Sequence, residues 1–311
     1  MVKAVVLLTV PVCLMVAGCV GGGGGSNAPT AAVAPAAAPA TPSPADGYQR
    51  VSDATKAGKL VYQGSSVEFS YTSNNGLATG SGQDQTGQPT LTINYGSDGI
   101  ETGGSISGKL ASVLVTETDT FTPLGIDKAN LVVSADGKTI ILLSDPKSKT
   151  NTFDYQVFGV WQTGVNSASG NIGAASFGSV TKVADVPANG SATFRGTALG
   201  GYNDATGNQF GTIADASLAV DFGARNVRFA TTNTMKMADT TSSASNLNLT
   251  GNLTYAQGAN NFSGSVNTVG GLNGTANGNF YGPGATEIGG TFRAKANTGV
   301  ESFVGSFGAK K

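Results

Sequence analysis

The residues equipped for chemistry are few, and most of them fail as sites. Val16-Ala17-Gly18-Cys19 closes an apolar run, residues 4–16, that follows the charged start Met1-Val2-Lys3. A charged start, an apolar core too short to span a bilayer and small residues before a cut make a secretory signal. With the cysteine in last place the four residues read as a bacterial lipobox, in which the chain is cut before Cys19 and the Cys19 thiol is acylated. Cys13 would leave with the signal, so the mature chain holds no pair for a disulfide. The sequence contains no histidine, which removes the Ser-His-Asp triad, the Cys-His nucleophile and the conventional zinc site. Haem would have only Tyr or Met as axial ligands. Gly137-Lys138-Thr139 echoes a phosphate loop, but Val132 stands where that loop needs glycine. Glu287 and Glu301, in adjacent strands, are the residue types a glycosidase pairs. Nothing in their spacing joins them, and both are expected as solvated surface acids. Asn248-Leu249-Thr250 and Asn252-Leu253-Thr254 match glycosylation sequons, which mean nothing in a bacterial lipoprotein. The single tryptophan, Trp161, flanked by Val160 and close to Phe158, is expected in a core rather than as a binding anchor.

The elements that would hold any site in place are strands. In the last quarter of the chain alternate residues fall on two faces. One face carries Leu247, Leu249, Gly251, Leu253, Tyr255; Phe262, Gly264, Val266; Leu272, Gly274, Ala276, Gly278, Phe280; Ile288, Gly290, Phe292, Ala294; and Phe303, Gly305, Phe307, Ala309. The other face carries Asn248, Thr250, Asn252, Thr254, Ser263, Ser265, Thr275, Asn277, Thr291 and Arg293. A period of two with one apolar face marks half-buried antiparallel strands. Aromatics mixed with glycine on that face suit the tapered interior of a small closed barrel. Three runs upstream add Ala192, Phe194, Gly196, Ala198; Leu218, Val220, Phe222; and Val227, Phe229. That makes eight strands, the number at which side chains just fill the interior. The outer wall, Thr193, Arg195, Thr197, Asn248, Thr250, Asn252 and Arg293, belongs in water, which argues against a membrane-spanning barrel.

Residues 60–161 hold a second set of strand-like runs, six to eight of them. Among these, Asn130 to Ser134 and Thr139 to Leu143 flank Ala135-Asp136-Gly137-Lys138, a hairpin signal. Residues 166–178, rich in Ser, Ala and Gly, read as a boundary loop. Gly21 to Pro44 is GGGGGS followed by Ala/Pro repeats; it cannot bury enough surface to fold and serves as a tether reaching roughly 25–30 Å. Charged residues are only 12% of the chain and the net charge is −1, so the basic face of a nucleic-acid binder is missing.

The stretch Pro187-Ala188-Asn189-Gly190-Ser191-Ala192-Thr193-Phe194-Arg195-Gly196 resembles the opening strand of the barrel in transferrin-binding protein B-like surface lipoproteins. Residues 280–292, FYGPGATEIGGTF, and 305–311, GSFGAKK, resemble the family's closing hairpin and final strand. Phe158-Gly159-Val160-Trp161 is similar to the joint between its β-rich handle and the barrel. The resemblance covers 187–311 clearly and the handle only by place and strand content. It implies an all-β protein: a lipoprotein signal peptide (1–18), a lipidated tether (19–46), a handle domain (47–165), a linker (166–186) and an eight-stranded antiparallel β-barrel (187–311). Where the transferrin receptor has two handle–barrel units, this chain has one. The resemblance further implies a lipid anchor at Cys19 in the outer membrane, surface exposure, a host or environmental protein or a solute as ligand, and a surface-export translocator. From the residues themselves no enzyme activity, cofactor or metal is expected. A structural envelope lipoprotein, or a haem-binding or hydrolytic one, is the alternative. The loops 203–210 and 232–245, long, polar and mounted on a rigid frame, are the candidate binding loops.

Overall fold

The structure, a computed structural model, describes residues 46–123, 129–145, 152–237 and 239–311. Cys19 and nearly all of the expected tether lie outside these residues. Two antiparallel sheets make up the described chain, with one seven-residue helix, α1 (Val51–Ala57), before them.

The first sheet contains β1 (Lys59–Asn74), β2 (Leu77–Ser81), β3 (Gln85–Gly87), β4 (Thr90–Tyr95), β5 (Glu101–Ser107), β6 (Ser112–Val115), β7 (Thr120–Pro123), β8 (Ala129–Val133), β9 (Thr139–Ser144), β10 (Gln156–Thr163) and β11 (Ser169–Gly178). Its order is β6-β5-β4-β1-β11-β10-β9-β8-β7, with β2 and β3 also paired to β1. The Asp136-Gly137 turn joins β8 to β9 as the sequence predicts, with Gly137 at a φ of 69°. Leu60, Tyr62, Leu91, Ile93, Ile106, Val132, Ile141, Val157, Phe177 and Trp161 form one core on this sheet, closed by Val51 and Ala54 of α1. Trp161 is thus a core residue, as expected.

One sequence expectation fails here. Residues 166–186, predicted as a linker, contain β11, a central strand paired to both β1 and β10. Its Ser/Ala/Gly composition is not that of a loop. It is the composition of a strand packed on both faces, buried from Ile172 to Gly178. The Trp161 ring lies so close that a Cβ on Gly173 would sit 2.1 Å from it.

The second sheet contains β12 (Ser191–Asn203), β13 (Gln209–Asp221), β14 (Asn226–Lys236), β15 (Asp239–Ser243), β16 (Leu249–Thr254), β17 (Asn261–Thr268), β18 (Asn273–Tyr281), β19 (Glu287–Lys295) and β20 (Ser302–Lys310). Pairing of β12 with β20 and of β13 with β14 closes eight of these strands into a barrel, and β15 is an appendage on β14. The residues assigned from the sequence to the inner face form one buried cluster, with Ala192 and Tyr255 packed at its margin. The glycines follow a rule. Phe229 stands opposite Gly251, Phe262 opposite Gly278, Phe307 opposite Gly290 and Phe292 opposite Gly305 in the ladders. The Phe262 ring lies across the space Gly278 leaves and the Phe292 ring across that of Gly305, which helps to fill a narrow barrel.

The outer wall departs from the expected wet surface on one side. Strands β19 and β20 are buried on both faces over eight residues each, because β1, β10 and β11 cover them. Thr197, Thr291 and Arg293, predicted to face water, are buried there, whereas Thr193, Arg195, Thr250 and Asn252 are exposed. Phe69, Phe158, Val160 and Ile172 of the first sheet pack with Leu199, Ile213 and Val304 of the barrel. Gln156 Nε2 donates to the carbonyls of Ile288 at 3.2 Å and Ala309 at 3.3 Å. Residues 179–190 carry the chain across, with Thr181 N donating to Phe280 O and Thr181 Oγ1 to Gly282 O.

Glu287, expected as a solvated acid, is 4% exposed in this joint. Its carboxylate accepts from the Asp154 amide at 2.7 Å and more weakly from Tyr155. Burial outweighs these donors and pushes the carboxyl up to about 7.

Two outcomes follow from this packing. Gly305→Ala forces a Cβ to 2.3 Å from the Phe292 ring and 2.4 Å from the Leu199 carbonyl; urea unfolding is expected to show a loss of about 1–3 kcal/mol. The Glu287 carboxyl titrates higher folded than its unfolded value of 4.5, so its contribution is full below that value and is lost as pH rises through about 7. Linkage puts that loss at roughly 3 kcal/mol. Glu287→Gln keeps an oxygen for the two amides and removes the charge, and is expected to flatten the urea midpoint between pH 5 and pH 8 relative to the parent chain.

Candidate functional site

At the Glu287 end the two sheets are in close contact. Outward-facing Gly289 and Gly308 let Gln156 and Phe158 approach the barrel backbone; a Cβ on Gly308 would lie 2.3 Å from the Phe158 ring. At the opposite end the sheets part around a cavity of about 300 Å³. Its sheet-side wall is Phe69, Leu142, Val160, Trp161 and Ile172, and its barrel-side wall includes Gly200, Gly201, Tyr202, Asn203, Phe210 and Gly211. Met237, beyond the end of β14, lies over it.

Both candidate loops reach this place. The segment 203–210 is mostly strand: β12 and β13 run to Asn203 and Gln209, and only five residues turn between them. Asp204 holds that turn by accepting from the amides of Thr206 and Asn208, both at 2.9 Å. These donors, against the cost of burial, leave its carboxyl below the usual carboxylate range. The Gly207 carbonyl accepts from the Ala78 amide of β2 at 2.9 Å, so the turn is docked on the first sheet. The segment 232–245 is an extension of β14 folded back as β15, not an open loop. Sequence reasoning placed both as polar loops because their Asn, Thr and Ser residues hide the ladder they continue.

The polar groups around the cavity form a short chain. Gln162 Nε2 donates to Gln209 Oε1 and to Tyr71 Oη, each at 3.0 Å. Asn203 Nδ2 donates to the Val300 carbonyl. The Tyr202 hydroxyl donates to Glu301 Oε1, and burial with that carboxylate raises the phenol and keeps it neutral. Lys236 sits 4.3 Å from the centre of the Phe210 ring.

The charged groups elsewhere do not assemble a reaction centre. Glu287 begins β19 and Glu301 lies just past the far end of that strand, so about nine residues at 3.3 Å each put the two roughly 30 Å apart. Inverting and retaining glycosidases need about 5–10 Å. Arg293 lies with its guanidinium 3.8 Å from the centre of the Phe69 ring and pairs with Asp84 at 3.2 Å. It is a clasp between the sheets, and Ser81 and Lys295 extend it. Among the described residues no cluster of acidic or cysteine side chains has the grouping of a metal site, and no helix is long and apolar enough to cross a membrane.

Residues 186–311 match the family profile described as the C-lobe and N-lobe beta barrels of Tf-binding protein B. No curated protein sequence matches the chain. Among solved structures, a point mutant of transferrin-binding protein B from Haemophilus parasuis is 13% identical, with a TM-score of 0.43 over 81% of this chain and 76% of that one. Intact Ap-TbpB, with its N and C lobes, is 13% identical with a TM-score of 0.41, over 81% and 76%. The protein from serogroup B Neisseria meningitidis is 15% identical with a TM-score of 0.38, over 82% and 77%. The matched segment takes in every strand of the closed barrel and the turn that enters it. The likeness to the transferrin-binding protein B barrels thus rests on residues 186–311.

Proposed function

We propose that this chain is a binding protein, acylated at Cys19, tethered to the outer membrane by residues 19–46 and displayed at the cell surface by a dedicated translocator. It captures a host or environmental protein, or a solute, at the end of the barrel where 203–210 and 232–245 meet the first sheet. The observation that carries this reading is the convergence there of two strand-borne extensions on an apolar recess. A binding surface needs such a recess on a rigid frame. Charged residues are sparse, and nothing basic on the described surface suits nucleic acid. The relatives carry transferrin in their names, and a protein of that kind heads the ligands to try.

Cys19→Ser is expected to move the protein from the detergent phase to the aqueous phase on cloud-point partition, with the folded domain unchanged. Protease added to intact cells is expected to remove it. Survival until the outer membrane is broken would leave an envelope lipoprotein in place of a receptor. Immobilised residues 46–311, offered serum proteins, are expected to retain a partner, and exchanging the 204–208 turn for Gly-Ser is expected to lower its affinity tenfold or more, or about 1.4 kcal/mol.

A further inference from the structure

The barrel interior is filled by its own rings, and the cavity described above lies outside the barrel, between its wall and the first sheet. Three features of that cavity restrict what enters. Its volume, about 300 Å³, sits at the low end of small-ligand pockets and equals about ten waters at liquid density. Its lining contains no charged side chain. Three charges act on lining rings from outside the cavity, Lys236 on Phe210, Glu301 on Tyr202 and Arg293 on Phe69, and Arg293 is already paired with Asp84.

The third feature is chemical. Asn203 Oδ1 and Gln209 Nε2 are buried and have no hydrogen-bond partner. The two residues are the last pair of the β12–β13 ladder and therefore present their side chains to the same face. The amide directions are fixed by their other halves: Asn203 Nδ2 is given to the Val300 carbonyl, and Gln209 Oε1 receives Gln162. What remains is one acceptor on Asn203 and one donor on Gln209, two residues that line the cavity. Buried groups left unpaired cost stability, commonly 1–3 kcal/mol each, unless something satisfies them.

We propose that the cavity binds a small uncharged amphiphile, with an apolar body between Val160, Leu142 and Ile172 and a hydroxyl or amide head that donates to Asn203 and accepts from Gln209. An ionised carboxylate is rejected, because the lining offers it no cation and burying an unpaired charge is far costlier than burying a hydroxyl. This rests on the reading of the same recess as a binding site, and it specifies a solute there; protein capture by the outer rim is a separate event with a separate readout.

Trp161 is the only tryptophan and its ring lies on the other face of β10 from Val160, so energy transfer from it reports occupancy of the neighbouring cavity. The test titrates residues 46–311 with the neutral probe N-phenyl-1-naphthylamine, then displaces it with 1-decanol or with decanoate at pH 8. One saturable site with transfer from Trp161 is expected, with 1-decanol at least tenfold stronger than decanoate as competitor. Gly201→Phe fills the cavity from the barrel wall, where a Cβ would meet nothing closer than Val304 at 3.9 Å. It is expected to abolish probe binding with the thermal midpoint unchanged. Gln209→Met is expected to weaken 1-decanol about tenfold, the factor for one lost hydrogen bond, with probe binding within twofold. Absence of saturable binding, equal competition by decanoate, or undiminished binding by a folded Gly201→Phe chain would overturn the proposal. Retention of a serum partner by the same Gly201→Phe chain would leave the receptor reading standing without it.

Discussion

Strands β19 and β20 must be dry on both faces, and the rest of the molecule is arranged around that requirement. A barrel strand in water keeps one apolar and one polar face. These two carry Phe292, Phe303 and Phe307 inward and Gly289, Ser306 and Gly308 outward. Small outward residues let β10 and β11 approach until Gln156 reaches two barrel carbonyls and Phe158 lies against the Gly308 backbone. The same requirement explains β11, whose alanines and glycines keep it thin enough to lie between the Trp161 core and the barrel. A sheet that buries both faces needs a partner on each side, and here each sheet supplies the other's.

The same device yields the cavity. At the Glu287 end the outward glycines are met by long side chains and the gap closes. At the Asn203 end Gly200, Gly201 and Gly211 again thin the barrel wall, but the opposing Leu142, Val160 and Ile172 do not fill the space they leave. Arg293, stacked on Phe69 and held by Asp84, joins the sheets between these ends. A recess framed by two sheets and an ion pair keeps its shape, which is what a binding site requires and what a loop alone does not provide.

The barrel was legible because its period is two and its inner face is unmixed: Leu249, Leu253, Val266, Phe280 and Ile288 are all fully buried, as their alternation implies. The joint was half legible. Phe158 to Trp161 marked the place, but alternation cannot tell a wall that meets water from one that meets another sheet. Thr197, Thr291 and Arg293 therefore looked wet and are dry. β11 was missed for the opposite reason, since small residues signal a loop and a doubly packed strand alike. Glu287 gave no sign of its burial, because the Asp154 and Tyr155 amides that receive it lie more than a hundred positions away. Glu68 is similar: it is wholly buried in β1 and accepts from the amides of Lys109 and Leu110, both at 2.8 Å. The recess itself is a gap between distant segments, and no local pattern encodes a gap. Asn203 and Gln209 fell within a loop singled out for its polarity, but only the ladder shows them side by side.

If the first sheet and the barrel hold each other dry, neither can unfold alone. Differential scanning calorimetry of residues 46–311 measures this directly. One transition, with calorimetric and van't Hoff enthalpies in agreement, is the predicted result. Two separable transitions, with the barrel melting as it would without its cover, would contradict it.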